Sequence, residues 1–151
     1  MTGLAGYGLS VDLPVAWEGA IYQRAPGEGE TAYPVLHAAT FPLPRQRGDY
    51  GNGAVELMDE TDLLIALLEH PPASVGAALF AQRGFPRTLS PDEFSPTTLQ
   101  RAIPGHAGTQ RFFTENNRPF CLYVVLGSFD LRTDLVRRAN QVLATVKVTH
   151  P

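Results

Sequence analysis

Apolar and β-branched residues are most concentrated in residues 118–128, a run long enough to cross a sheet. A second strand-like run, residues 107–114, precedes it, and only a short polar interruption separates the two. Asparagine tolerates the left-handed conformations that a two-residue primed turn requires. We therefore predict a β-hairpin that turns at Asn116 and Asn117, with residues 118–128 as the central strand of the sheet.

This turn fixes which side chains face each other across the hairpin. It sets Phe113 opposite Phe120, and it sets Glu115 opposite Arg118. One face of the hairpin then carries Phe113, Phe120, Leu122 and Val124. The other face carries Phe112, Cys121, Tyr123 and Val125. Because both faces are apolar, we expect helices or a second layer to cover the strand on both sides.

Shorter alternating or apolar runs predict further strands at residues 7–13, 20–24 and 33–41. Residues 145–149 also alternate and are predicted as a final strand or an extended tail. Residues 54–70 are ambiguous because their apolar run, residues 63–68, has no polar face of the kind that a surface helix needs. We favour a buried strand at residues 62–69. A short buried helix capped by Thr61 or Asp62 remains open.

The clearest helix is predicted at residues 130–144. Its apolar face carries Leu131, Leu135, Val136, Ala139, Val142 and Leu143. Short helices are predicted at residues 74–82 and 95–101, the second beginning with Ser95 as N-cap and Pro96 at the first helical position. Together the elements predict an α+β fold (an α/β sandwich): a mainly antiparallel β-sheet with a C-terminal amphipathic helix and one or two short helices packed on it. We expect residues 1–151 to form a single globular domain.

Composition and charge narrow the function classes. The chain has 151 residues, 44% apolar and 18% charged, and a net charge of −3 with a pI near 5.7. This balance argues against nucleic-acid binding, which needs basic surface to neutralise phosphates. The N-terminus lacks a leader pattern, and no stretch reaches the roughly 18 apolar residues that span a bilayer. We therefore expect a soluble, cytoplasmic protein with no membrane partner.

Two parts of the chain carry a family resemblance. Residues 7–17 read YGLSVDLPVAW, and residues 135–148 read LVRRANQVLATVKV, a helix that leads into a short strand. Together they resemble the PsbP-like superfamily, and the chain looks most like one of its bacterial members of unknown role. The resemblance covers about a quarter of the chain and implies an antiparallel sheet with helices on its faces. Its motifs are structural, so no functional residue is carried over.

Candidate catalytic groups are isolated from one another in the sequence. Cys121 lies mid-strand, where a small hydrophobic residue is expected, and a nucleophilic role would need an activating base and exposure. His37 lies on a predicted strand, and His106 lies in a Gly-flanked loop. Glu69 ends an apolar run, where its carboxylate is placed to pair with Arg111 or Arg118. We interpret these residues as structural rather than catalytic.

Metal and cofactor sites also lack their usual patterns. The four histidines are scattered along the sequence. The acidic group of Glu56, Asp59, Glu60 and Asp62 lacks the glycine and terminal glutamate of a calcium loop. No glycine pair has the strand, loop and helix context of a phosphate-binding motif. We therefore predict no metal and no cofactor.

These observations favour a non-enzymatic domain that binds a protein partner as an accessory or assembly factor. The candidate interface is one of two loops, residues 42–53 or residues 84–105. The candidate residues on these loops are Arg45, Arg47, Tyr50, Phe85, Arg87 and Phe94. The structural alternative is that these aromatic residues anchor the loops to the core. A second hypothesis is a small-ligand-binding or weakly catalytic cleft near His37, Glu69 and His106. A third is homo-oligomerisation, for example as a homodimer, as the main use of the surface.

Overall fold

The computed structural model describes residues 1–23 and 32–150, which form two antiparallel sheets and one α-helix. In chain order the elements are β1 (Thr2–Gly6), β2 (Leu9–Leu13), β3 (Glu18–Gln23), β4 (Pro34–Ala39), β5 (Leu63–Glu69), β6 (Ala107–Glu115), β7 (Arg118–Leu126), α1 (Arg132–Leu143) and β8 (Lys147–Val148). The smaller sheet has the order β1-β2-β8, and the larger one has the order β3-β4-β5-β7-β6. The predicted α+β class with a mainly antiparallel sheet is confirmed.

The β6–β7 hairpin forms with the predicted turn and register. Asn116 and Asn117 both have positive φ, at 49° and 62°. Phe113 lies opposite Phe120, and their rings stack with centroids 5.6 Å apart. The register predicted from a turn at Asn116 and Asn117 is therefore confirmed.

The larger sheet is covered on both faces as predicted, but a helix and a second sheet cover only one of them. One face packs against α1 and β2 in a core that contains Leu67, Leu122 and Leu143. The other face packs against the segment that follows β4, including Phe41 and Met58. The prediction that β7 is the central strand was wrong, because β5 is the middle strand in the order. All nine residues of β7 are buried all the same, since β5 and β6 flank it and both faces are covered.

The predicted strand at residues 62–69 is confirmed as β5. The strands predicted at residues 33–41 and 145–149 correspond to β4 and β8, which are shorter. The strand predicted at residues 20–24 corresponds to β3, and residue 24 lies outside the described residues. Residues 7–13 were predicted as one strand, but Tyr7 and Gly8 form a turn with positive φ between β1 and β2. The sequence of β1, TGLAG, contains two glycines and no alternation, so it was not recognised as a strand.

The predicted C-terminal helix is confirmed as α1, with its apolar face buried except for Leu131, which precedes the helix and is exposed. Neither predicted short helix forms an α-helix. Residues 74–82 contain part of the 3-10 turn Pro72–Ser74 and all of the 3-10 turn Ala78–Phe80. Another 3-10 turn, Val55–Leu57, precedes β5.

The helix predicted at residues 95–101 is absent because the backbone of Ser95 pairs with the strand next to it. Its N–H donates to Gly108 O, and the Gly108 N–H donates to Ser95 O, each at 3.0 Å. A different Ser-Pro pair, five residues earlier, does begin a helical turn. Ser90 forms a capping box at the head of the 3-10 turn Pro91–Glu93. Among the described residues, no helix has the length and the apolar character that crossing a lipid bilayer requires.

Candidate functional site

A concave surface lies where β3 meets the segment that follows β4. Its first compartment is a cavity of about 570 Å³ lined by Ala20, Tyr22, Arg45, Gln46 and Arg47. A second compartment of about 440 Å³ shares Ala20 and Arg47 with the first. The rest of its lining is Thr2, Leu4, Leu13, Trp17, Glu18, Gly19 and Leu43. We call the two compartments together the β3 groove.

The loop that carries Arg45 and Arg47 is held against the sheet by its own turn. Gly48 N–H donates to Asn52 O at 2.7 Å, and Gly51 N–H donates to Gly48 O at 2.9 Å. Gly51 has a φ of 85°, and a Cβ at this position would lie only 2.2 Å from Leu64 Cδ2. The positive φ and this close contact together favour glycine where the loop approaches β5.

His37 anchors the same loop from below. Its side chain is fully buried on β4, and Arg47 Nε donates to its Nδ1 at 2.7 Å. Because a guanidinium cannot accept a hydrogen bond, Nδ1 is the acceptor and the neutral ring carries its proton on Nε2. Nε2 lies 2.6 Å from Asp49 O and donates to it. Both ring nitrogens thus bind the loop.

Tyr22 completes this network from β3. Its hydroxyl donates to Asp49 Oδ1 at 3.0 Å, and its ring meets the His37 ring edge-on with centroids 5.4 Å apart. The Arg47 guanidinium lies 5.4 Å from the centre of the Tyr22 ring, in cation–π geometry. Arg47 also donates from Nη1 to Pro44 O at 2.6 Å. Hydrogen bonds to His37 and Pro44 thus hold the Arg47 guanidinium in the wall of the first compartment, and the Asp49 carboxylate lies beside Tyr22.

The groove differs in character along its length. Arg45 is exposed and Arg47 is half-buried. Their two guanidinium groups and Tyr22 border the first compartment. The other compartment is bordered by apolar side chains of Leu4, Trp17 and Leu43. Its one carboxylate, from Glu18, accepts a hydrogen bond from the Leu43 N–H at 2.9 Å.

The other candidate interface residues lie away from the groove lining. Tyr50 is half-buried against the Tyr123 ring, and burial raises the pKa of its hydroxyl to about 12. Phe85 and Phe94 are buried in the core. Arg87 lies over the Phe85 ring and donates to Val146 O at 2.5 Å. Arg45 and Arg47 are thus the two candidate interface residues that line the groove.

The three residues of the alternative cleft are not brought together. His37 pairs with Ala66 and shares its face of the sheet. Glu69 lies three residues further along β5, so its side chain points to the opposite face. There it pairs with Arg118, one of the two arginines expected from the sequence. His106 precedes β6, which β5 and β7 separate from β4.

His106 and Cys121 are buried away from the groove lining. His106 is 5% exposed, its Nδ1 has no hydrogen-bond partner, and burial lowers the pKa of its ring against the opposing effect of Glu56. Burial raises the pKa of the Cys121 thiol to about 11. Nowhere in residues 1–23 and 32–150 do three His, Cys, Asp or Glu side chains form a group that could hold a metal ion.

The sequence did not point to Tyr22 or Asp49 as parts of a site. Tyr22 was recognised only as a strand residue and Asp49 only as part of a polar loop. Their contact depends on how β3 and the loop after β4 meet in space, which no local motif encodes. The signal that was present is the pair of arginines in a turn-rich loop, which the sequence did single out.

The chain was compared with family models, with curated proteins and with solved structures, and none of these matches it. The resemblance to the PsbP-like superfamily stays a prediction.

Proposed function

We propose that this protein is a non-enzymatic domain that binds a protein partner through the β3 groove, as an accessory or assembly factor. The observation that carries the proposal is the composition of the groove. Two arginines and a tyrosine border one compartment, and leucine and tryptophan side chains border the other. Arginine and aromatic residues are enriched at protein interfaces.

The role of His37 supports binding over chemistry at this surface. A general base must reach its substrate, and a metal ligand must offer a free ring nitrogen. His37 is fully buried, and its two ring nitrogens bind Arg47 and the Asp49 carbonyl. Its position favours a structural task, in which it holds the arginine loop in one conformation and so reduces the entropy lost on binding.

The first test is a pull-down from the native lysate with the tagged protein as bait. The bait variant is Arg45→Glu, because Arg45 is exposed and its charge borders the groove. The matched control is Arg83→Glu, which reverses an exposed arginine beside β6, at the opposite edge of the larger sheet. We expect a stoichiometric partner that the wild type and the control retain and Arg45→Glu loses. A partner retained equally by all three baits would contradict the proposal.

The size of the first compartment favours a second candidate, a small anionic ligand. A cavity of about 570 Å³ lies within the range of about 300–1,000 Å³ that is usual for ligand pockets. Screening by thermal unfolding with inorganic phosphate and with di- and tricarboxylic acids tests this. A ligand that raises the Tm of the wild type and of Arg83→Glu, but not of Arg45→Glu, would support this candidate.

A further inference from the structure

We infer that the partner binds as an extended strand added to the open edge of β3, with acidic side chains towards Arg45 and Arg47 and apolar side chains towards Leu4. This inference rests on the proposed protein-binding function and specifies its geometry and the chemistry of the partner. Strand addition is a common way in which a sheet edge recognises a peptide.

The two edges of the larger sheet differ in whether other parts of the described chain form hydrogen bonds with them. At the β6 edge, Thr114 N–H donates to Gln82 O, and Gly84 N–H donates to Thr114 O. The same edge pairs with Ser95 near its other end. Within the described residues, β3 has no hydrogen-bonded strand except β4. Its sequence, EGAIYQ, also lacks the lysine or proline that commonly blocks an edge.

The hydrogen-bond pattern identifies the backbone groups at this edge. Just after β4, the Thr40 N–H donates to Leu63 O at 3.2 Å, so the even-numbered residues of β4 form their backbone hydrogen bonds with β5. The odd-numbered residues of β4 therefore form theirs with β3, and the register places them opposite the even-numbered residues of β3. Gly19 and Ile21 are consequently left with their N–H and C=O groups directed away from β4.

The side chains around the edge determine what an added strand would carry. Ala20 and Tyr22 share one face of β3, and both line the compartment bordered by Arg45 and Arg47. The opposite face differs, since a Cβ on Gly19 would lie 3.2 Å from Leu4 Cδ2 and 2.7 Å from Leu13 Cδ1. Side chains of an added strand alternate between these faces. The complementary partner therefore alternates acidic and apolar residues over the six residues of β3, a length of about 20 Å.

The test is to pan a random dodecapeptide phage library on the full chain, with parallel panning on Arg45→Glu and Arg83→Glu. We expect the wild type and the control to enrich peptides in which acidic and apolar residues alternate. We expect Arg45→Glu to lose them, with a fall in affinity of about tenfold or more for a reversed charge at the contact. Enrichment of basic peptides, of helical spacing, or of no peptide beyond the level on Arg45→Glu would overturn the inference.

N-methylation of the best synthetic peptide then separates strand addition from side-chain docking. Each N-methyl group removes one backbone donor and blocks pairing on that side of the strand. We expect methylation at alternate residues to weaken binding about tenfold or more, and at intervening residues less than about threefold. A uniform or irregular pattern would overturn the inference.

The pull-down distinguishes a failure of strand addition from a failure of the proposed protein-binding function. A partner that depends on Arg45 in the pull-down, together with no alternating peptide in the panning, would leave the binding function standing and reject strand addition. Failure of both experiments would reject both. Neither outcome depends on a substitution within β3, so the edge itself is unchanged throughout.

Discussion

Arg118 and Glu69 form a bidentate ion pair that is almost completely buried. Arg118 Nη2 lies 2.7 Å from Glu69 Oε1, and its Nε lies 2.9 Å from Glu69 Oε2. The two side chains are only 6% and 10% exposed. The guanidinium also donates to Tyr7 O at 3.0 Å and to Thr149 O at 3.2 Å. One arginine thus joins the end of β5 in the larger sheet to the β1–β2 turn and to the residue after β8.

We expect Arg118→Met to lower the free energy of unfolding by about 3–5 kcal/mol, because it leaves a buried carboxylate without its partner. Urea unfolding followed by circular dichroism measures this change. Replacing Glu69 by methionine in the same protein should recover part of the loss. The control is Arg137→Met, whose ion pair with Asp134 has side chains 66% and 74% exposed and should contribute less than about 0.5 kcal/mol. Equal effects of the two arginine variants would contradict this account.

The single thiol should be unreactive in the folded protein. Burial raises the pKa of Cys121 from 9.0 to about 11, which lowers the thiolate fraction near neutral pH about a hundredfold. We expect a disulfide reagent to modify Cys121 only as fast as the protein opens, and to react completely in concentrated urea. Modification of the native protein at the rate of a free cysteine would show that β7 is more accessible than its packing indicates.

The extent to which the sequence predicted the structure depended on how local each interaction is. The β6–β7 hairpin was predictable because its register follows from two asparagines between two apolar runs. The helix predicted at Ser95 failed because a distant residue, Gly108, takes its backbone hydrogen bonds. The β3 groove was not predictable for the same reason. It depends on the approach of Gly51 to β5 and on the hydrogen bonds of His37, and both join residues of different elements.

The hairpin turn can be tested by changing backbone preference alone. Asn117 is exposed and has a φ of 62°. We expect Asn117→Val to lower the free energy of unfolding by about 1–2 kcal/mol, since a β-branched residue is strained in the left-handed region. Asn117→Gly should leave stability unchanged or raise it, because glycine adopts this conformation freely. The two variants control for each other in chemical denaturation, and a valine variant as stable as the glycine variant would contradict the turn assignment.

Acid should destabilise the fold partly through two histidines, the buried His106 and the half-buried His70. Burial lowers the pKa of His106 and of His70 below the usual value of 6.5. The unfolded chain therefore binds more protons than the folded one once the pH falls below that value. The stability associated with each neutral ring is fully present above pH 6.5 and is lost as the pH falls towards the folded-state pKa, by up to about 1.4 kcal/mol per pH unit for one proton.

Substitution by glutamine removes this proton uptake from one site at a time. We expect the free energy of unfolding of His106→Gln to fall less steeply than that of the wild type between about pH 7 and pH 5.5, where few carboxylates titrate. His70→Gln should have a similar effect, and the double variant should have the shallowest dependence, because the two rings lie in different parts of the fold. His37 is present in all four proteins, so its contribution cancels in the comparison. Parallel curves for the wild type and the double variant would show that neither ring is neutral because of its burial.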